Sequence, residues 1–150
     1  MRIEAMELLG WSVHDLDSAV ARFTALLGLD FRIFEVGVDY EVATTSDTGT
    51  SSSAPLPQRL RIAVDATGCF ELLEMPGIPE GFRNIHFRVD DMDAAVRHIV
   101  AQGLAPIQDL RAGVAREVIF DAVELYGVRL CLLEYPGESF RAALEDSPRP

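Results

Sequence analysis

The stretch Asn84-Ile-His-Phe-Arg-Val-Asp-Asp-Met-Asp-Ala-Ala-Val96 is a diverged second copy of Leu8-Leu-Gly-Trp-Ser-Val-His-Asp-Leu-Asp-Ser-Ala-Val20. A repeated unit dictates architecture before any single residue is weighed. Each copy opens with apolar/polar alternation, the mark of a half-buried strand. Leu9, Trp11 and Val13 share one face in the first copy, and Ile85, Phe87 and Val89 share it in the second. The opposite faces carry Leu8, Gly10 and Ser12, and Asn84, His86 and Arg88. Period-two geometry sends each set to its own side of the sheet.

A helix follows each strand. Asp15 and Asp91 have the short acceptor side chain that suits an N-cap. Leu16, Val20, Phe23 and Leu27 form one apolar stripe, and Met92, Val96 and Ile99 form another. Gly28 and Gly103 suit the left-handed residue that ends a helix. Three more strands per copy fit what remains: near 31–36, 59–64 and 69–74 in the first, and near 105–110, 117–121 and 128–134 in the second. The copies close alike, as Phe70-Glu-Leu-Leu-Glu-Met-Pro76 and Leu130-Cys-Leu-Leu-Glu-Tyr-Pro136. The chain therefore reads as α+β, two βαβββ modules at about 5–76 and 82–136, with a linker at 77–81 and a tail at 137–150. The stretch 44–58 is rich in Ser, Thr, Gly and Pro without periodicity and reads as a loop. A short helix is expected around Ser139–Leu144.

Composition sets limits. The chain has 150 residues, the size of one ordinary domain, and 49% hydrophobic residues suffice for a core. A net charge of −11 argues against nucleic acid or an anionic membrane as partner, because both reward clustered positive charge. The N-terminus lacks the basic-then-apolar pattern of a secretory signal. Cys69 and Cys131 lack metal-finger spacing. A cytoplasmic protein with reduced thiols, a small-molecule ligand and a homodimeric state is the expectation.

The paired modules resemble the vicinal oxygen chelate superfamily, which includes glyoxalases and bleomycin-resistance proteins. The motifs V-x-D-L-D-x-A-V and E-L-L-E-x-P in the first module, kept as V-x-D-M-D-x-A-V and C-L-L-E-x-P in the second, carry the resemblance. It covers about residues 6–136, and 118–136 carries much of a likeness to the methylmalonyl-CoA epimerase branch. The resemblance implies two curved sheets forming a cup that usually holds a divalent metal. The matching ligand positions are Leu8, Glu71, Asn84 and Cys131. Only Glu71 is a customary ligand, so a largely dismantled metal site is implied. Dioxygenase chemistry, which needs two His and a carboxylate, is disfavoured.

Several residues then become candidates within the implied cup. Glu71, flanked by Phe70 and Leu72, is the best acid/base group, since burial would raise its pKa. The competing reading pairs it with Arg88 as a structural link. His86 shares the face of Asn84 one rung along and could partner Glu71. Cys131 reads as a small buried hydrophobe or, less readily, a nucleophile. Arg88 could anchor an anion, and Tyr126 could offer a hydroxyl at the cup mouth; with Leu8, Asn84 and Cys131 they make up the expected ligand-contacting set.

Three functions compete. The first is a metal-independent isomerase, cyclase or lyase using Glu71 and His86. The second is a non-catalytic drug or metabolite binder of the bleomycin-resistance type. The third is a zinc enzyme held by Glu71, His86 and Cys131, with His86 acting about 6–7 Å from the usual ligand position. No cofactor is expected under the first two.

Overall fold

The computed structural model describes residues 2–47, 59–123 and 125–150. The first module runs β1 (Ile3–Val13), α1 (Leu16–Leu27), β2 (Phe31–Glu35), β3 (Val42–Asp47), β4 (Arg61–Asp65) and β5 (Phe70–Glu74). The second runs β6 (Gly81–Val89), α2 (Met92–Ala101), β7 (Pro106–Ala112), β8 (Ala115–Phe120) and β9 (Arg129–Glu134), followed by α3 (Phe140–Glu145). Among the described residues no helix is long and apolar enough to cross a membrane.

Both repeat helices begin as the repeat dictates. The carboxylate of Asp15 accepts the Ser18 N–H at 2.9 Å, and that of Asp91 accepts the Ala94 N–H at 2.8 Å. The closing glutamate of each module does related work. Glu74 Oε1 accepts the Leu16 N–H at 3.1 Å, and Glu134 Oε1 accepts the Met92 N–H at 2.9 Å. Each module's last strand thus satisfies an orphan donor of its own helix, which gives the glutamate of the L-L-E-x-P motif a structural task. Gly28 terminates α1 in the left-handed conformation, φ 68°.

The nine strands form one curled sheet in the order β2-β4-β5-β1-β6-β9-β8-β7-β3. The modules join at its centre, where β1 and β6 run antiparallel with Leu9 opposite Ile85 and Gly10 opposite Asn84. Trp11, Val13, Leu16, Val20 and Phe23 pack together outside the first half. Phe87, Val89, Met92, Val96 and Ile99 do the same outside the second. Leu27, placed on the helical stripe by its spacing, is 57% exposed at the end of α1.

Two parts of the fold differ from expectation. Residues 44–47 belong to β3 rather than to a loop, and β3 pairs antiparallel with β7, Val42 opposite Ala112. This strand lies beyond the edge of the second module, although the chain reaches it directly from β2 at the far edge of the first. A tight turn, with Gly37 N–H donating to the Tyr40 carbonyl at 3.0 Å, makes the passage. The segment 36–41 therefore straps one end of the curled sheet to the other and closes the cup. The rest of the loop expectation, 48–58, lies outside the described residues. The second difference is where the tail helix packs; the helix itself forms where expected. Capped by Ser139, α3 buries Phe140, Ala143 and Leu144 in the same cluster as Leu8, Tyr40, Ile119 and Leu133. It is an inner plug of the cup, tied to the start of β2 by Arg141 on Asp30 at 3.2 Å.

Candidate active site

Four strands, β5, β6, β8 and β9, bring the polar groups of the cup together around Gly10 of β1. Gly10 on β1 lies opposite Glu71 of β5 on one side and Asn84 of β6 on the other. His86, two residues along β6, is opposite Cys131 of β9, and Cys131 is opposite Ile119 of β8. Glu117 shares the inward face of β8 with Ile119, since the alternation sends Val118 and Phe120 to the outer cluster. Leu8, Glu71, Asn84, His86 and Cys131 are all buried. Gly10 makes this crowding tolerable: a Cβ there would lie 3.1 Å from that of Asn84 and 3.5 Å from Glu71 Oε2.

His86 is the hub. Its Nδ1 lies 3.3 Å from the carbonyl oxygen of Leu8, which fixes the proton on that nitrogen. Its Nε2 faces Glu117 Oε1 at 3.2 Å and Glu71 Oε2 at 3.5 Å. Burial alone would discharge the imidazole, but Cys131 first, then Glu117 and Glu71, outweigh burial and raise His86 well above its ordinary range. Burial pushes the Cys131 thiol up to about 11, so it stays neutral. Glu71 is pushed up to about 7 by burial, an effect reinforced by Glu117 and opposed by His86. Tyr40, on the strap, is raised by burial and then by the two carboxylates, so its hydroxyl stays a donor.

These groups border a cavity whose other walls include Val36, Ile62, Leu73, Leu110, Ile119 and Phe140. Apolar walls with a few converging polar groups are the usual build of a ligand site. Of the residues expected here, Glu71 and Asn84 line the cavity, while His86, Cys131 and Leu8 sit behind its surface. Arg88 does not reach it. It pairs with Glu4 at 3.1 Å, donates to the Gly137 carbonyl at 2.9 Å and stacks on the Tyr135 ring at 4.2 Å. The expected structural link between Glu71 and Arg88 is thus replaced by Glu71 with His86. Tyr126 is fully exposed in a left-handed turn, φ 57°, and is not part of the cavity wall. Cys69, at the mouth of β5, is exposed.

Among the polar cavity residues, sequence reading missed Tyr40, Arg83, Gln108, Glu117 and Arg129. Glu117 was recoverable, because counting back by two from Ile119 puts it on the inward face. Arg83 was not, because a register shift between β1 and β6 around Asn84 breaks the alternation there.

Of the four positions that the resemblance matches to metal ligands, Leu8 offers no donor atom, so that set does not fit an ion. Asn84 Oδ1 is buried with no hydrogen-bond partner. A different set does converge: one ligand atom from each of His86, Glu117 and Cys131 lies within 4.8 Å of the others. Imidazole, carboxylate and thiolate together are acceptable to zinc.

No protein-family model matches the sequence, and no curated protein matches it significantly. Solved structures do. A methylmalonyl-CoA epimerase of Streptomyces coelicolor, in complex with 2-nitronate-propionyl-CoA, aligns over 91% of this chain and 100% of its own, with a TM-score of 0.63 and 20% identity. The methylmalonyl-CoA epimerase of Mycobacterium tuberculosis aligns over 90% of each chain, with a TM-score of 0.63 and 18% identity. A hypothetical protein of Bacillus halodurans covers 90% of this chain and 96% of its own, with a TM-score of 0.62 and 15% identity.

Proposed function

We propose that this chain, which carries the vicinal oxygen chelate fold, is an enzyme of small carbonyl metabolites that moves a proton to or from carbon without a metal. Isomerisation, cyclisation and elimination all begin with that step. The observation carrying the reading is a buried carboxylate, Glu71, 3.5 Å from a buried imidazole at the floor of an apolar cavity. A base with a pKa of about 7 is matched to neutral pH, ionised often enough to accept a proton and basic enough to hold it. Glu71 takes the proton from the carbon beside the substrate carbonyl. The electron pair moves onto the carbonyl oxygen, where the Tyr40 hydroxyl is available as a donor. His86, charged and braced by Glu117, offsets the ionised form of Glu71 before the transfer. Return of the proton to the same or a neighbouring carbon completes an isomerisation. The epimerases of the structural comparison support carbon-acid chemistry of this type, and their substrate, methylmalonyl-CoA, is the first compound to try.

The test is solvent exchange. In heavy water, the native protein is expected to introduce deuterium next to the carbonyl of methylmalonyl-CoA or of another member of a panel of thioesters and 2-oxo acids, followed by NMR. Glu71→Gln is expected to slow that exchange roughly 100-fold or more while keeping the native fold. Undiminished exchange in the variant would remove Glu71 from the mechanism. Tight binding of a panel member with no exchange over hours would favour sequestration of the bleomycin-resistance type.

The convergence of His86, Glu117 and Cys131 favours one second reading, a zinc enzyme. The Nδ1–carbonyl bond of His86 is the outer-shell support a ligating imidazole commonly has. These residues, with Glu71 beside them, would hold the ion, which would polarise a substrate carbonyl. Under this reading, protein purified without chelators carries close to one zinc per chain and melts lower after EDTA. Zinc far below one per chain, with an unchanged melting temperature in EDTA, excludes it.

A further inference from the structure

Arg83 and Arg129 stand together on the cavity wall of a chain whose net charge is −11. They come from adjacent strands: Arg129 is the partner of Asn84 across the β6–β9 ladder, and Arg83 precedes Asn84. Arg83 is half-buried, and no carboxylate among the described residues forms an ion pair with it. Four other arginines contrast with Arg83: Arg61, Arg88, Arg116 and Arg141 each hold an acid within 3.4 Å. Burial and then the charge of Arg129 make the Arg83 guanidinium easier to deprotonate, so Arg83 sits where a lone positive charge is disfavoured. A chain with acidic groups to spare has left one cation of its ligand cavity without one.

We propose that Arg83 and Arg129 are an anion-binding pair that takes an oxyanion group of the ligand, a carboxylate or a phosphate, at the wall beside Asn84. Arginine suits the task because its planar fork meets such oxygens two at a time. The proposal rests on reading the cup as a ligand site and narrows that ligand to an anionic metabolite. The anion would supply the counter-charge that Arg83 lacks, and its far end would lie toward Glu71. Long-range attraction cannot supply this selectivity, because the whole-molecule field of an acidic protein repels anions.

Thermal unfolding of the full chain tests it, with succinate, inorganic phosphate and neutral succinamide as probes and sodium chloride matching the ionic strength. Succinate, phosphate or both are expected to raise the melting temperature saturably, and succinamide is not; which anion works identifies the oxyanion. Arg83→Gln is expected to lose the saturable rise and, without ligand, to melt at or above the native temperature, because a like-charge contact is gone. Arg83→Lys is expected to keep part of the rise, and Arg88→Gln, outside the cavity, to keep it for both anions. Glu71→Gln is expected to keep it too, so this proposal and the proton-transfer reading fail separately. Equal anion responses in native and Arg83→Gln proteins would overturn the proposal, as would no response to either anion. A lower melting temperature for ligand-free Arg83→Gln would also overturn it, by showing the arginine to be structural.

Discussion

At pH 8 the Glu71→Gln protein is expected to melt several degrees above the native chain, and at pH 5 the gap is expected to shrink to a small remainder. Glu71 is held at about 7 in the folded protein against an ordinary 4.5, chiefly because burial penalises the carboxylate. Below pH 4.5 both folded and unfolded chains carry the proton, and the group has no influence on the equilibrium. Between 4.5 and 7 the unfolded chain gives the proton up first, so each step upward in pH drains stability from the native state. Above 7 the loss is complete, and a shift of this size corresponds to about 3 kcal/mol. Glutamine has the shape of the protonated side chain and nothing to ionise, so it escapes the loss. His86 adds a slope of the same sign, because a raised imidazole pKa gives stability that is lost as pH climbs through the folded value. Cys131 and Glu117, the neighbours that raise His86 most, are present in both proteins, so much of that slope is common to them. Circular dichroism melts at pH 5, 6, 7 and 8 decide the matter. A constant difference at every pH would mean that Glu71 titrates as an ordinary surface acid. The confirmed result would pair a more stable protein with one expected to be inactive, the trade that a strained catalytic group imposes.

His86→Leu is expected to cost about 3–5 kcal/mol at neutral pH, the usual penalty for deleting one partner of a buried ion pair. The imidazolium is the cation both carboxylates face, at 3.2 Å and 3.5 Å. Without it, two acids remain at the floor of the cup, and each must take up a proton or leave its place. The loss should therefore be largely repaired in the triple variant His86→Leu, Glu71→Gln, Glu117→Gln, where no unmatched charge is left. Urea unfolding of the single and triple variants measures the difference. Equal losses would place the cost in side-chain packing and remove charge from the account of this cluster.

The fold was legible because its signals are local and occur twice. Asp15 and Asp91 accept the amides their positions foretold, and Trp11 and Phe87 face the helices as the alternation requires. Glu71 and His86 followed from the same alternation, and Cys131 from the family resemblance, once the cup was assumed. What could not be read depends on distant contacts. The outward course of Arg88 is set by Glu4 and the Tyr135 ring, neither visible from its own strand. The arrival of Arg83 at the cavity depends on a slip of register. The plug formed by α3 depends on where a tail folds back, which helical propensity does not encode.

The pairing of β3 with β7 also sets a schedule. Val42 meets Ala112, seventy positions later, so during synthesis the strand waits for its partner. At about 5–20 residues per second that interval is roughly 4–14 s. An apolar strand idle for so long on a nascent chain would invite aggregation. The strand that waits here ends Thr44-Thr-Ser-Asp47, and the polar character that hides it from a search for alternation is also what makes it a poor template for its neighbours on the polysome.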